Sequence, residues 1–163
     1  MPCSRADMLR VARPALRCGS GCAGLRMTTL MDVKNLNEVP AFITKDGSEI
    51  RELLAQRNSA VRNQSLAEAR VPVGGSTLEH YHVKTEEIYY ITSGAGRMRI
   101  ENETRAVNPG DAIAIPPGQK HKVWNTGRET LTLLCCCAPG YEHSDTVITE
   151  TSPGLDEPRT TGN

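Results

Sequence analysis

Gly74-Gly-Ser-Thr-Leu-Glu-His80-Tyr-His82-Val-Lys-Thr-Glu-Glu87-Ile-Tyr-Tyr-Ile-Thr-Ser-Gly94 places three potential metal donors within eight residues, between turn-forming glycines. His80 and His82 alternate around Tyr81, so on an extended strand both imidazoles point to one face. Glu87 follows a short turn and can return a carboxylate to that face. After it, Glu87 to Thr92 has the apolar and aromatic composition of a buried strand.

A fourth donor comes from a separate stretch, Gly110-Asp-Ala-Ile-Ala-Ile-Pro116-Pro-Gly118-Gln-Lys-His121-Lys-Val-Trp-Asn125. A lone histidine is usually a surface or hydrogen-bonded residue, and an isolated His-x-His is a weak signal. Here three of the four histidines in the chain fall on donor positions of a longer pattern, which favours a metal site over coincidence. Neutral imidazoles and one carboxylate suit a single divalent Fe, Mn, Ni, Cu or Zn ion, with positions left for water or substrate.

These two stretches resemble the paired signature motifs of the cupin superfamily. The first runs from Gly74 through His80, His82 and Glu87 to Gly94. The second runs from Gly110 through Pro116, Gly118 and His121 to Asn125. The likeness is nearest to small single-domain cupins called mannose-6-phosphate isomerase-like, a label that describes the barrel rather than an activity. The resemblance implies an all-β double-stranded β-helix (a jelly-roll barrel), a metal held by His80, His82, Glu87 and His121, and frequently a homodimer. The dimer is expected to use Ile50 to Leu54, because a small barrel has little room to bury Ile50, Leu53 and Leu54 within one subunit.

With 163 residues the chain has room for one domain. Three segments are expected: a disordered Arg-rich extension over 1–30, the barrel over 31–150, and a disordered tail over 151–163. The formal charge of zero and the lack of a Lys/Arg stripe interleaved with aromatics argue against a nucleic-acid partner. No apolar run suits a secretory signal or a membrane span, so a small-molecule substrate is the expected partner.

Before Met31 the chain holds Arg5, Arg10, Arg13, Arg17 and Arg26 against the single acid Asp7. That reads either as an organelle-targeting peptide or as an upstream extension, with Met27 or Met31 opening the real protein. The second is favoured because amphipathic periodicity is lacking. Cys18 and Cys22 have no second pair to complete a zinc motif. Cys135, Cys136 and Cys137 are adjacent and must alternate between faces. They read as small strand residues, with a redox-active or substrate-facing thiol as the sharper alternative. Such free thiols fit a reducing setting, so the expected location is cytoplasmic, or organellar if the extension is a transit peptide.

Strands are expected over Val61 to Val71, Arg97 to Glu101, Ala112 to Ile115 and Leu131 to Cys137; Ser48 to Leu54 reads as helix or strand, and the cupin resemblance implies a strand. A capped turn or short helix is expected over Asn35 to Pro40. Tyr89 shares parity with Glu87 and is the candidate catalytic residue, by hydrogen bonding a substrate or transferring a proton; a satisfied core tyrosine is the plainer reading. Arg97 and Arg99 form either a solvated face or an anion clamp. Gln119 is a candidate orienter of His121, and Tyr141 to His143 either folds over the opening or lies on the surface.

The implied activity is metal-dependent isomerisation, enolisation or decarboxylation of a sugar, sugar phosphate or carboxylate. An Fe(II)-dependent dioxygenase and a non-catalytic binding protein are the alternatives, because this barrel hosts many unrelated activities.

Overall fold

The computed structural model describes residues 31–150. The expected extension over 1–30 and tail over 151–163 lie outside the described residues. What is described is nearly all-β, and the strands, numbered in chain order, form two antiparallel sheets. The larger has the order β1 (Phe42–Ile43), β2 (Glu49–Leu54), β3 (Ser65–Val71), β10 (Leu131–Ala138), β5 (Glu86–Ser93), β8 (Ala112–Ile115). The smaller runs β11 (Thr146–Ile148), β4 (His80–His82), β9 (His121–Asn125), β6 (Gly96–Ile100), β7 (Glu103–Val107). This is the expected jelly roll. Each sheet pairs strands distant in sequence, such as β10 between β3 and β5, so the inner faces close around one interior.

Period-two side chains build that interior. Along β10, Leu131, Leu133, Cys135 and Cys137 are buried while the residues between them are half-exposed. Leu131 and Leu133 join Val71, Ile91, Met98, Val107 and Val123 in the apolar core. Ile91 is fully buried, and sealing a side chain of that size contributes about 1.5–3 kcal/mol. The same inner face of β5 leads from Ile91 through Tyr89 to Glu87, out of the core and into a cavity lined by Tyr89 and Glu87.

Three expectations change. The third strand begins at Ser65 rather than Val61, because residues 55–59 are tied into a loop. Asn58 Oδ1 accepts the amide of Ala55 at 2.8 Å, and Ser59 Oγ donates to the Ala55 carbonyl at 2.8 Å. The β5 run is buried on one face only, and Ile88 and Tyr90 are 48% and 44% exposed. The apolar run cannot itself show which face is covered. Finally, Ile50 packs against the core of its own subunit, so it is not left over for a partner.

Candidate metal centre

Four donors from both sheets converge. β4 has three residues, and its alternation buries His80 and His82 while Tyr81 is half-exposed between them. β9 lies beside it, with His80 opposite His121. Glu87 crosses from the larger sheet, where it sits between Cys137 of β10 and Ile115 of β8. The turn from His82 to Glu87 is pinned by Asp145, whose carboxylate accepts the amides of Lys84 and Thr85 at 3.1 and 3.0 Å. The nitrogen and oxygen donors of His80, His82, Glu87 and His121 all lie within 4.8 Å of one another, and all four residues are buried.

Backbone carbonyls set the ring orientations. His80 Nδ1 meets the carbonyl of Leu78 at 2.8 Å, and His121 Nδ1 meets that of Gln119 at 3.0 Å. A proton on each Nδ1 leaves Nε2 as a free donor atom, the arrangement found at histidine metal ligands. Gln119 therefore acts through its carbonyl rather than its side chain. His82 is held by Thr146 of β11, with Oγ1 3.3 Å from Nδ1.

Glu87 is held asymmetrically. The buried Cys137 thiol donates to Oε1 at 3.3 Å, while Oε2 points at His82 Nε2 (3.3 Å) and His121 Nε2 (3.4 Å). Neither approach is a formed hydrogen bond. Glu87 Oε2 and His121 Nε2 are buried without a partner among the described residues. Such orphans are rare and costly, and an ion is one of the few things that satisfies them. Neighbouring donors each about 2.1 Å from one ion sit roughly 3.0–3.4 Å apart, so the spacing fits.

The electrostatics favour a neutral His80 and an ionised Glu87. Burial holds His80 below the ordinary histidine value, with His121 adding to the effect. Burial alone would raise the Glu87 carboxyl, but His121 and His82 outweigh it and hold it below the carboxylate range. Both shifts have the same consequence for stability. As pH falls through about 6.5, and again near 4.3, the unfolded chain takes up protons that the folded chain resists, so folding is lost on acidification. The metal-free chain is expected to melt at progressively lower temperature as pH is lowered from 7.5 to 5. A melting temperature that stays level or rises across that range would contradict the arrangement.

The other sequence candidates divide. Tyr89 is buried, lines the cavity, and places its ring centroid 6.0 Å from that of His121. Burial raises its phenol well above the ordinary value, so it stays protonated. Tyr141 also lines the cavity, with its ring 6.0 Å from that of His82. Neither Arg97 nor Arg99 lines the cavity. Arg99 pairs with Glu79 and lies 5.2 Å from the centre of the Trp124 ring, away from the cavity.

Cys135 and Cys137 face inward and Cys136 outward, and burial raises all three thiols. Neutral thiols are poor nucleophiles, which favours the plain structural reading. Sequence reasoning missed Thr146 and the Cys137–Glu87 contact, and it also missed the buried acids Asp46 and Glu52 in the cavity wall. Their signal lies in cross-barrel register, which one strand does not display.

A family profile for the cupin domain matches residues 67–137, the span from β3 to β10 that carries all four donors. An uncharacterized protein of Methanocaldococcus jannaschii is 49% identical over 125 residues, covering 76% of this chain and all of that protein. The chain is a cupin.

Two solved structures share the cupin fold. A predicted oxalate decarboxylase from Thermotoga maritima is 26% identical, with a TM-score of 0.59, over 66% of this chain and 98% of that one. The polyketide cyclase RemF from Streptomyces resistomycificus is 24% identical, with a TM-score of 0.65, over 76% and 88%. The second likeness speaks to fold alone. Among the described residues of this cupin, no helix is long and apolar enough to cross a membrane.

Proposed function

We propose that this cupin is a metal-dependent enzyme that acts on a small polar substrate by isomerisation, enolisation or decarboxylation. The observation that carries the reading is the pair of orphaned buried donors, Glu87 Oε2 and His121 Nε2, which face each other at 3.4 Å beside a cavity lined by His80, His82, Glu87 and Tyr89. His80, His82, Glu87 and His121 would hold the ion, which when bound supplies Lewis-acid polarisation of a substrate oxygen. Tyr89, kept protonated, donates a hydrogen bond to a substrate oxygen. Cys137 keeps Glu87 Oε1 turned away from the histidines, and Thr146 steadies the His82 ring. The apolar wall formed by residues such as Ala69, Val71 and Leu133 excludes water.

Polar and acidic groups inside the cavity favour turnover over passive binding. The likeness to a predicted oxalate decarboxylase supports metal chemistry more than any particular substrate, and the mannose-6-phosphate isomerase-like label speaks to the barrel. The test is metal analysis of untagged protein, followed by a substrate screen under air and under nitrogen. Turnover that requires air would replace this reading with a dioxygenase. A bound metal with no turnover of any hydroxy-carbonyl or carboxylate substrate would leave a binding protein.

We also propose a homodimer, with the contact moved to the outer face of the larger sheet. Leu54, Leu66, Cys136, Ile88 and Ala114 are register partners in one row across five strands. Leu134 and Tyr90 pair in a neighbouring row. Such an apolar patch is the kind a second copy covers. Light scattering at micromolar concentration is expected to give twice the chain mass, and Ile88→Lys is expected to halve it. A monomeric parent would refute the proposal.

A further inference from the structure

Besides Glu87, the cavity is lined by two further buried acids, Asp46 and Glu52, and by no lysine or arginine among the described residues. The nearby cations are turned elsewhere. Lys45 Nζ donates to the carbonyls of His143 (2.6 Å) and Thr146 (3.2 Å). Arg57 pairs with Glu52 without lining the cavity, and Arg99 pairs with Glu79. Both described helical segments are three-residue 3-10 turns, so no helix N-terminus offers an anion site either. Apart from His80, His82 and the thiols of Cys135 and Cys137, the remaining wall is apolar or hydroxyl-bearing, with Ala67, Ala69, Val71 and Leu133 beside Ser65 and Thr77. The space is about 50 Å³, room for only about four water molecules at ~10–15 Å³ each.

Phosphate and carboxylate recognition rests on guanidinium, ammonium or clustered amide donors. A phosphoryl or carboxylate group would here lie against the buried carboxylates of Asp46 and Glu52, with no lysine or arginine lining the cavity to receive it. Burying an unpaired charge is costly. A hydroxyl, carbonyl or amide incurs no such cost, and the protonated Tyr89 hydroxyl is available as a donor.

We infer that the cavity selects a small uncharged oxygen-bearing ligand, such as a hydroxy-carbonyl compound or an amide, and discriminates against phosphorylated and carboxylate molecules. This rests on the metal reading above and narrows it, setting aside the sugar phosphates and carboxylates expected from the sequence and, with the carboxylates, decarboxylation. Asp46 and Glu52 are the specificity-determining residues.

The test uses the full chain loaded with Co(II), titrated with glycolamide and glycolate. The two probes are isosteric and differ by one charge, and the visible cobalt bands report their binding. Glycolamide is expected to bind more tightly than glycolate, the reverse of their order toward free aqueous Co(II). Dihydroxyacetone is expected to perturb the bands while its phosphate does not. Glu52→Gln is expected to strengthen glycolate about tenfold and to move glycolamide less than threefold, with circular dichroism confirming the fold.

Tighter glycolate binding by the unaltered chain, which needs no variant, overturns the inference. So does a glycolate affinity unmoved by a folded Glu52→Gln chain. If the chain takes up no Co(II), or if His82→Ala takes up as much, it is the metal reading that fails. The same two probes are then compared on the metal-free chain by ligand-observed NMR. Preference for glycolamide there sustains the charge selectivity, and preference for glycolate ends it.

Discussion

A His82→Ala chain is expected to lose most of its bound metal while keeping its β-rich circular dichroism. His82 supplies one of four donors, and its Nε2 is the nitrogen nearest the orphaned Glu87 Oε2, at 3.3 Å. Loss of even an outer hydrogen-bond partner weakens a metal site by about 10- to 100-fold. Removing a donor should exceed that and take the site below the concentrations used in purification. The fold should persist, because β4 and its neighbours pair through their backbones: Thr146 opposite His82, and His80 opposite both Ile148 and His121.

Removing one buried ring costs on the order of 2–4 kcal/mol, less than a domain of this size commonly holds in reserve. Elemental analysis of untagged protein, beside a chain starting at Met27, separates the site from adventitious binding by Cys3, Cys18 and Cys22. Full occupancy in the variant would remove His82 from the donor set.

How far the sequence could be read depends on what each residue's placement depends on. The His80–His82 alternation is a property of three consecutive residues on one strand, so period two was enough to put both rings on one face. His121 was legible only as a member of a second spaced pattern, and its position opposite His80 is a fact of sheet register. Cys137 faces Glu87 because β10 inserts between β3 and β5, a long-range pairing that a run of three cysteines does not announce. The same holds for Thr146, Asp46 and Glu52, which reach the cavity from strands or turns far apart in the chain. The exposure of Ile88 and Tyr90 was hidden for another reason. A run of apolar residues looks alike whether one face of its sheet is covered or both.

Gly94→Ala is expected to be among the most damaging single changes outside the donor set. Gly94 has a φ of +82°, where an L side chain is strained, and an added Cβ would sit 2.8 Å from both Leu131 Cα and the Thr130 carbonyl oxygen. Neither neighbour is free to yield. Leu131 opens β10, is paired with Val71 of β3, and is fully buried in the core. Left-handed strain costs about 1–2 kcal/mol and overpacking another 1–3, so the expected loss is about 3 kcal/mol. For a domain of this size that lowers the melting temperature by on the order of 10 °C.

Gly110→Ala is the control. Gly110 has a φ of +97° with nothing within 4 Å of the added carbon, so that variant carries the strain without the collision and should lose only about 1–2 kcal/mol. Thermal melts of the two variants and the parent, each without metal, measure the difference. If Gly94→Ala melts no lower than Gly110→Ala, the backbone of β10 does not approach the turn after β5 as closely as described. The requirement for glycine at position 94 would then reduce to its dihedral angle.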